Sequence, residues 1–124
     1  MFNWWTQRRW LNQLKTKIIV IAQTQKLTPE QIRRVQVVFT INRADFRYWY
    51  QEYSLRQQGV VSSKSINLNS IVMGMTSKIN SQLIVIGLEK KKRELFIAAC
   101  EKVVKDSLPK EREKINGVVD LEDV

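Results

Sequence analysis

Arginines recur in the middle of the chain, where few carboxylates accompany them. If this stretch is helical, Arg33, Arg43 and Arg47 share a polar face with Gln36 and Thr40. Guanidinium groups bind phosphate through paired hydrogen bonds, and amides and hydroxyls add further hydrogen bonds. Most of these arginines also lack an acidic partner at helical spacing. The pattern predicts a phosphate-binding face, and a solvated face without a ligand is the alternative.

Aromatic side chains are concentrated directly after these arginines. Phe46, Trp49 and Tyr53 continue an apolar helical stripe and are predicted to lie in the core. Tyr48 points well away from that stripe. Because exposed aromatic rings can stack on the bases of a single strand, Tyr48 is predicted to contact a base or a sugar.

The beginning of the chain combines large aromatics with Arg8 and Arg9. Tryptophan and arginine together are typical of interface anchors and of helices at membrane surfaces. The interleaved Gln and Asn residues fit a membrane helix poorly, so we predict docking onto a partner protein. The residues assigned to this docking are Phe2, Trp4, Trp5 and Trp10.

Candidate catalytic residues are scarce. The chain has no histidine, and Cys100 is its only cysteine, placed in an apolar helical run. There is no glycine-rich phosphate loop and no Cys/His metal-binding spacing. A Ser–Lys dyad is the remaining catalytic option. We therefore predict a protein that is not an enzyme and that uses no metal or cofactor.

The charge is strongly basic and unevenly distributed. The 124 residues carry a net charge of +9, with +11 in residues 1–109 and −2 in residues 110–124. A basic body suits a polyanion such as nucleic acid or an anionic membrane surface. No segment has the roughly 18 uncharged apolar residues that a membrane span requires, and a lone cysteine suits a reducing cytoplasm.

Helix signals define most of the chain. Thr28, Pro29 and Gln31 form a capping-box pattern, and the apolar spacing predicts one helix over residues 28–58, with Gly59 as its stop and a kink near Asn42–Asp45. A second helical stretch, long or split at Gly87, is predicted for residues 65–108. Residues 1–27 form an aromatic and basic segment, and residues 110–124 an acidic tail.

One alternative to an all-helical fold is open. Residues 17–21 and 82–86 have the composition of strands, and pairing them would make a mixed α+β protein. The helical stripe that passes through Leu83 and Ile86 favours helix. The sequence therefore predicts a single all-α domain, an antiparallel bundle of about four helices, some of them long.

A small, basic, helical chain with unpaired arginines resembles the small subunit of type I CRISPR Cascade surveillance complexes. The resemblance implies a helical bundle, present in several copies, that contacts the DNA strands of an R-loop through its basic side chains. It also implies other protein subunits as partners. The residues that carry this role over are Arg33, Arg43 and Arg47, followed by Lys64, Lys78 and the run Lys90, Lys91, Lys92 and Arg93.

The last of these groups also has a simpler interpretation. Four consecutive basic residues on a helix point in four directions, so Lys90–Arg93 makes a broad positive patch or a solubilising face. Two other classes of protein fit the whole chain. One is a helical coat or nucleoid-type protein that wraps DNA, and the other is a protein-interaction subunit that does not bind nucleic acid.

Overall fold

The computed structural model describes residues 4–59 and 66–110, in which all regular secondary structure is helical. The helices are α1 (Trp4–Thr24), α2 (Pro29–Ile41), α3 (Arg43–Gln57), α4 (Leu68–Val85) and α5 (Lys90–Ser107). The prediction of an all-α fold is confirmed over these ranges, which contain five helices where the sequence predicted about four. Residues 17–21 lie within α1, and residues 82–86 form the end of α4 and its cap. The strand alternative is therefore wrong, because the helical stripes bury Ile18 and Leu83 completely.

Two helix starts follow the local rules for capping. The capping box at Thr28 is confirmed. The Thr28 side chain accepts a hydrogen bond from the backbone N–H of Gln31, and the Gln31 side chain accepts one from the backbone N–H of Thr28. At the start of α4, the Asn67 side chain accepts from the backbone amide of Ser70 at 2.8 Å. Lys64 and the polar connector around it lie outside the described residues.

The stretch expected as one helix over residues 28–58 is divided into α2 and α3. The division falls at Asn42, inside the segment where the sequence predicts a kink. The Asn42 side-chain amide donates to the Val38 carbonyl at 2.9 Å, so it gives a carbonyl in the last turn of α2 a hydrogen-bond partner. The same side chain makes no hydrogen bond to the first turn of α3. The N-terminus of α3 is consequently left without a side-chain cap.

The turns after α1 and after α4 have the same backbone structure, although their sequences differ. After α1, Lys26 has a positive φ of 62°, and after α4, Gly87 has a φ of 81°. In both turns the next residue is a buried leucine, Leu27 or Leu88, whose amide donates to a carbonyl five residues earlier. This is the Schellman ending of a helix. The Lys92 ammonium donates to the Lys26 carbonyl at 3.2 Å and joins the two turns at one end of the molecule.

Replacing Gly87 by alanine is expected to destabilise the protein by about 1–2 kcal/mol, the strain of a left-handed backbone with a Cβ. No atom lies within 4 Å of where that Cβ would be, so strain alone is tested. Urea denaturation measures the effect. Gly87→Asn is the matched control, because asparagine tolerates this conformation better and should lose less stability. Equal losses in the two variants would contradict the explanation.

The start of α1 packs against the end of α5. The Trp10 indole stacks on Tyr50, with centroids 4.4 Å apart, and its Nε1 donates to the Ser107 hydroxyl at 2.9 Å. Only 6% of Trp10 is exposed. The sequence assigned Trp10 to partner docking, and that assignment is corrected because α3 and α5 already cover it. The Tyr53 hydroxyl donates to the Pro109 carbonyl and holds the chain just beyond α5.

Candidate nucleic-acid interface

A positively charged cleft lies between the first half of α1 and the N-terminal half of α3. Its volume is about 470 Å³, within the size range of small-molecule sites. Three of its lining residues are arginines, and none is acidic. We call it the arginine cleft, and its residues are Trp4, Arg8, Leu11, Asn12, Arg43, Ala44 and Arg47.

The arginines on the α3 side are placed by helical spacing. Arg43, Arg47 and Gln51 recur every fourth residue and form one row, while the completely buried Phe46 anchors the helix from its other side. Beyond the cleft, the buried Gln7 side chain of α1 donates to the Gln51 side chain at 3.0 Å. This hydrogen bond ties α1 to α3 beside the cleft.

The groups on the α3 side of the cleft are only partly paired within the protein. The Arg47 Nε atom is buried without a hydrogen-bond partner, which is a costly state for a donor. Arg43 and Ala44 begin α3, whose N-terminus lacks a side-chain cap and has Asp45 in its first turn to offset the positive end of the helix dipole. An anion in the cleft would accept hydrogen bonds from the exposed guanidinium groups of Arg8 and Arg43 and would offset the repulsion among the three arginines.

Arg8 is the residue that sequence reasoning missed. It follows Trp4 by four positions, and its guanidinium carbon lies 4.9 Å from the centroid of the Trp4 ring. The i,i+4 spacing of an aromatic and an arginine was the available signal, since such residues share a helix face. Trp4 was assigned to protein docking by sequence, and the structure places it in the arginine cleft, with 45% of its surface exposed.

The other predicted nucleic-acid contacts lie apart from this cleft. Arg33 is exposed on α2 and does not line it, because the division at Asn42 separates α2 from α3. Lys78 lines a different groove, of about 330 Å³, between α2 and α4. Tyr48 is 39% exposed on α3 and is not a cleft residue. The structure thus brings together Arg43 and Arg47 from the predicted set.

The basic run at the start of α5 divides into two pairs. Lys90 and Lys91 are exposed. Lys92 donates to the Lys26 carbonyl, and Arg93 donates to the Leu88 carbonyl at 2.9 Å, so both hold interhelical turns. The run lies near the end of α1, whereas the cleft lies near its beginning. The 21 residues of α1 place the two basic regions about 30 Å apart.

The remaining predictions fall on the exposed surface or outside the described ranges. Trp5 is 67% exposed and touches Trp4 edge to face, with centroids 5.4 Å apart. Its assignment to partner docking stays a prediction. Phe2 lies outside the described residues, as does the acidic tail beyond residue 110.

Other kinds of site have little support among the described residues. Across residues 4–59 and 66–110, no group of three or more His, Cys, Asp or Glu side chains is arranged to hold a metal ion. Within the same ranges, no helix is long and apolar enough to cross a bilayer. Cys100 is completely buried, and burial followed by the charge of Glu101 raises the pKa of its thiol to about 12.

Comparison with known proteins adds no family. No protein-family model matches the chain, and no curated protein or solved structure matches it significantly. A function for this chain therefore has to be inferred from the chemistry of its own residues, and the arginine cleft is the place where that chemistry is most concentrated.

Proposed function

We propose that this protein binds the phosphate backbone of nucleic acid through the arginine cleft, without dependence on base sequence. The convergence of Arg8, Arg43 and Arg47 on one cleft with no acidic lining residue carries the proposal. Guanidinium groups bind phosphate oxygens in pairs, and phosphate contacts themselves carry no sequence information.

The remaining charge has a supporting role in this proposal. A net charge of +9 attracts polyanions over a distance, and the exposed Lys90 and Lys91 add to that field about 30 Å from the cleft. Lys92 and Arg93 contribute charge while holding the turns. We propose no catalytic step, because a buried thiol of high pKa is a poor nucleophile.

The setting we propose is a multisubunit ribonucleoprotein in the cytoplasm, similar to the small subunit of a Cascade complex. Two hydrogen bonds support an antiparallel arrangement of α1 and α5, as such a bundle requires. Trp10 near the start of α1 donates to Ser107 at the end of α5, and Lys92 near the start of α5 donates to the Lys26 carbonyl just after α1. The exposed Trp5, next to the cleft residue Trp4, suits a neighbouring protein subunit.

The test is a charge-reversal pair with a matched control. Arg43→Glu/Arg47→Glu and Lys90→Glu/Lys91→Glu both lower the net charge by four, but only the first changes the cleft. Fluorescence anisotropy with labelled single strands, duplex DNA and RNA, from low to physiological salt, measures affinity and its salt dependence. We expect the cleft variant to lose at least about 100-fold in affinity and to show a shallower salt slope, because two phosphate contacts become repulsive.

The control variant should lose much less affinity, since it changes only the long-range field. Equal losses in the two variants would show that total charge is responsible and would contradict the cleft proposal. Circular dichroism should give unchanged helix content for both. Filament formation on long duplex would instead indicate a coat protein, and absence of binding at low salt would indicate a protein-interaction subunit.

A further inference from the structure

Trp4 gives the arginine cleft a feature that phosphate binding alone does not need. Phosphate groups are held by charge and hydrogen bonds, whereas the indole ring offers a flat apolar surface. The ring lines the same cleft as Arg43 and Arg47, and 45% of the Trp4 residue surface is exposed. A large exposed aromatic beside an anion site indicates a ligand that has both a phosphate and a planar apolar part.

The partner of the Trp4 ring strengthens this indication. The Arg8 guanidinium lies over one face of the indole, 4.9 Å from the ring centroid, in a cation–π contact, so a base would stack on the other face. The lining of the cleft also includes the apolar side chain of Leu11, which is only 4% exposed. The cleft therefore offers both guanidinium groups and apolar surface, which are the two kinds of group that bind a nucleotide's phosphate and its base.

We propose that the arginine cleft binds one unpaired nucleotide, with its phosphate held by Arg43 and Arg47 and its base stacked on Trp4. The preferred ligand is then single-stranded nucleic acid, because the faces of paired bases in a duplex are covered by their neighbours. Stacking is tolerant of sequence, since every base has a π face. This inference rests on the proposed function and adds the strand type and the position of the base.

A nucleic-acid strand that lacks bases distinguishes the contribution of base stacking to affinity from that of phosphate charge. Anisotropy would compare a labelled oligothymidylate 15-mer with a 15-mer of the same phosphates in which every base is missing. The parent protein should bind the thymidylate strand about tenfold more tightly, as expected for a stacked base. Trp4→Ala should reduce that preference, taken as the ratio of the two affinities of the same protein, to less than about twofold.

Trp5→Ala is the matched control, because Trp5 is adjacent and more exposed but does not line the cleft. It should keep the tenfold preference. A loss in Trp5→Ala equal to that in Trp4→Ala would overturn the assignment of the base to Trp4. A parent protein without preference for the thymidylate strand, or with equal affinity for a duplex of the same length, would overturn the inference.

The variant Arg43→Glu/Arg47→Glu distinguishes a failure of the base-stacking inference from a failure of the proposed phosphate binding. If Arg43→Glu/Arg47→Glu lowers affinity for both kinds of strand and the preference for bases is missing, phosphate binding at the cleft stands and base stacking is excluded. If that variant binds both strands as tightly as the parent, the cleft is not the phosphate site, and both proposals fail.

Discussion

Replacing Phe46 by alanine is expected to lower the free energy of unfolding by about 3–5 kcal/mol, the usual cost of removing a buried aromatic ring. Phe46 has no exposed surface and contacts two further aromatics, with ring centroids 5.7 Å from Phe39 and 5.5 Å from Trp49. The cavity left by the ring would lie where α2, α3 and the core meet. Urea denaturation followed by circular dichroism measures the loss.

Leu95→Ala is the control for Phe46→Ala, since Leu95 lies on α5 with 66% of its surface exposed. Its free energy of unfolding should change by no more than about 0.5 kcal/mol. A loss below about 1 kcal/mol in Phe46→Ala would mean that the core around α3 is not packed as described. Phe46→Leu should recover part of the stability, because much of the buried volume returns.

Phe46 also connects the core to the arginine cleft. It lies on α3 between Arg43 and Arg47, and its burial determines which face of the helix turns towards α1. Under conditions where Phe46→Ala remains mostly folded, it should weaken nucleic-acid binding less than the reversal of the two arginines. The variant removes packing, whereas the reversal removes the groups that contact phosphate.

Stability should fall in alkaline solution because Cys100 must stay neutral in the folded protein. Burial, aided by the charge of Glu101, raises the pKa of the thiol from its ordinary value of 9.0 to about 12. The unfolded chain loses the proton near pH 9, but the folded protein retains it. The stability linked to Cys100 is therefore fully present below pH 9 and is lost as the pH rises towards 12.

The expected loss is about 1.4 kcal/mol for each pH unit above 9, or about 2–3 kcal/mol at pH 11. Cys100→Ala removes the titrating group and keeps the other residues that ionise in this range. The difference in free energy of unfolding between the parent and this variant should hence shrink by that amount from pH 8 to pH 11, as measured by urea denaturation. A difference that stays constant over this range would contradict the raised pKa.

Local signals predicted much of the fold. Thr28 and Gln31 specify a helix start, Gly59 and Gly87 have the positive φ that ends a helix, and the apolar spacing predicts that Phe46 and Tyr53 are buried. Each of these depends on interactions within a few residues or on one helical period. Such features can be predicted from residues close together in sequence, because the interactions that cause them are between those same residues.

The fate of the aromatic residues was less predictable. Trp4, Trp5 and Trp10 have similar neighbours in sequence, yet Trp10 is buried while Trp5 is exposed. The difference comes from Ser107 and Tyr50, which meet Trp10 from two other helices. The sequence showed that this segment carries interface-type residues, but not which of them the protein's own helices would cover.

The sequence by itself predicted a basic and mostly helical chain, the helix start at Thr28 and the stop at Gly59, and Arg43 and Arg47 as candidates for phosphate binding. Only the tertiary structure decided that Arg8 and Trp4 join them and that Arg33 and Lys78 do not. The reason is physical. Arg8 and Arg43 are distant in sequence and meet because α1 packs against α3, and that packing depends on the whole core rather than on any local pattern.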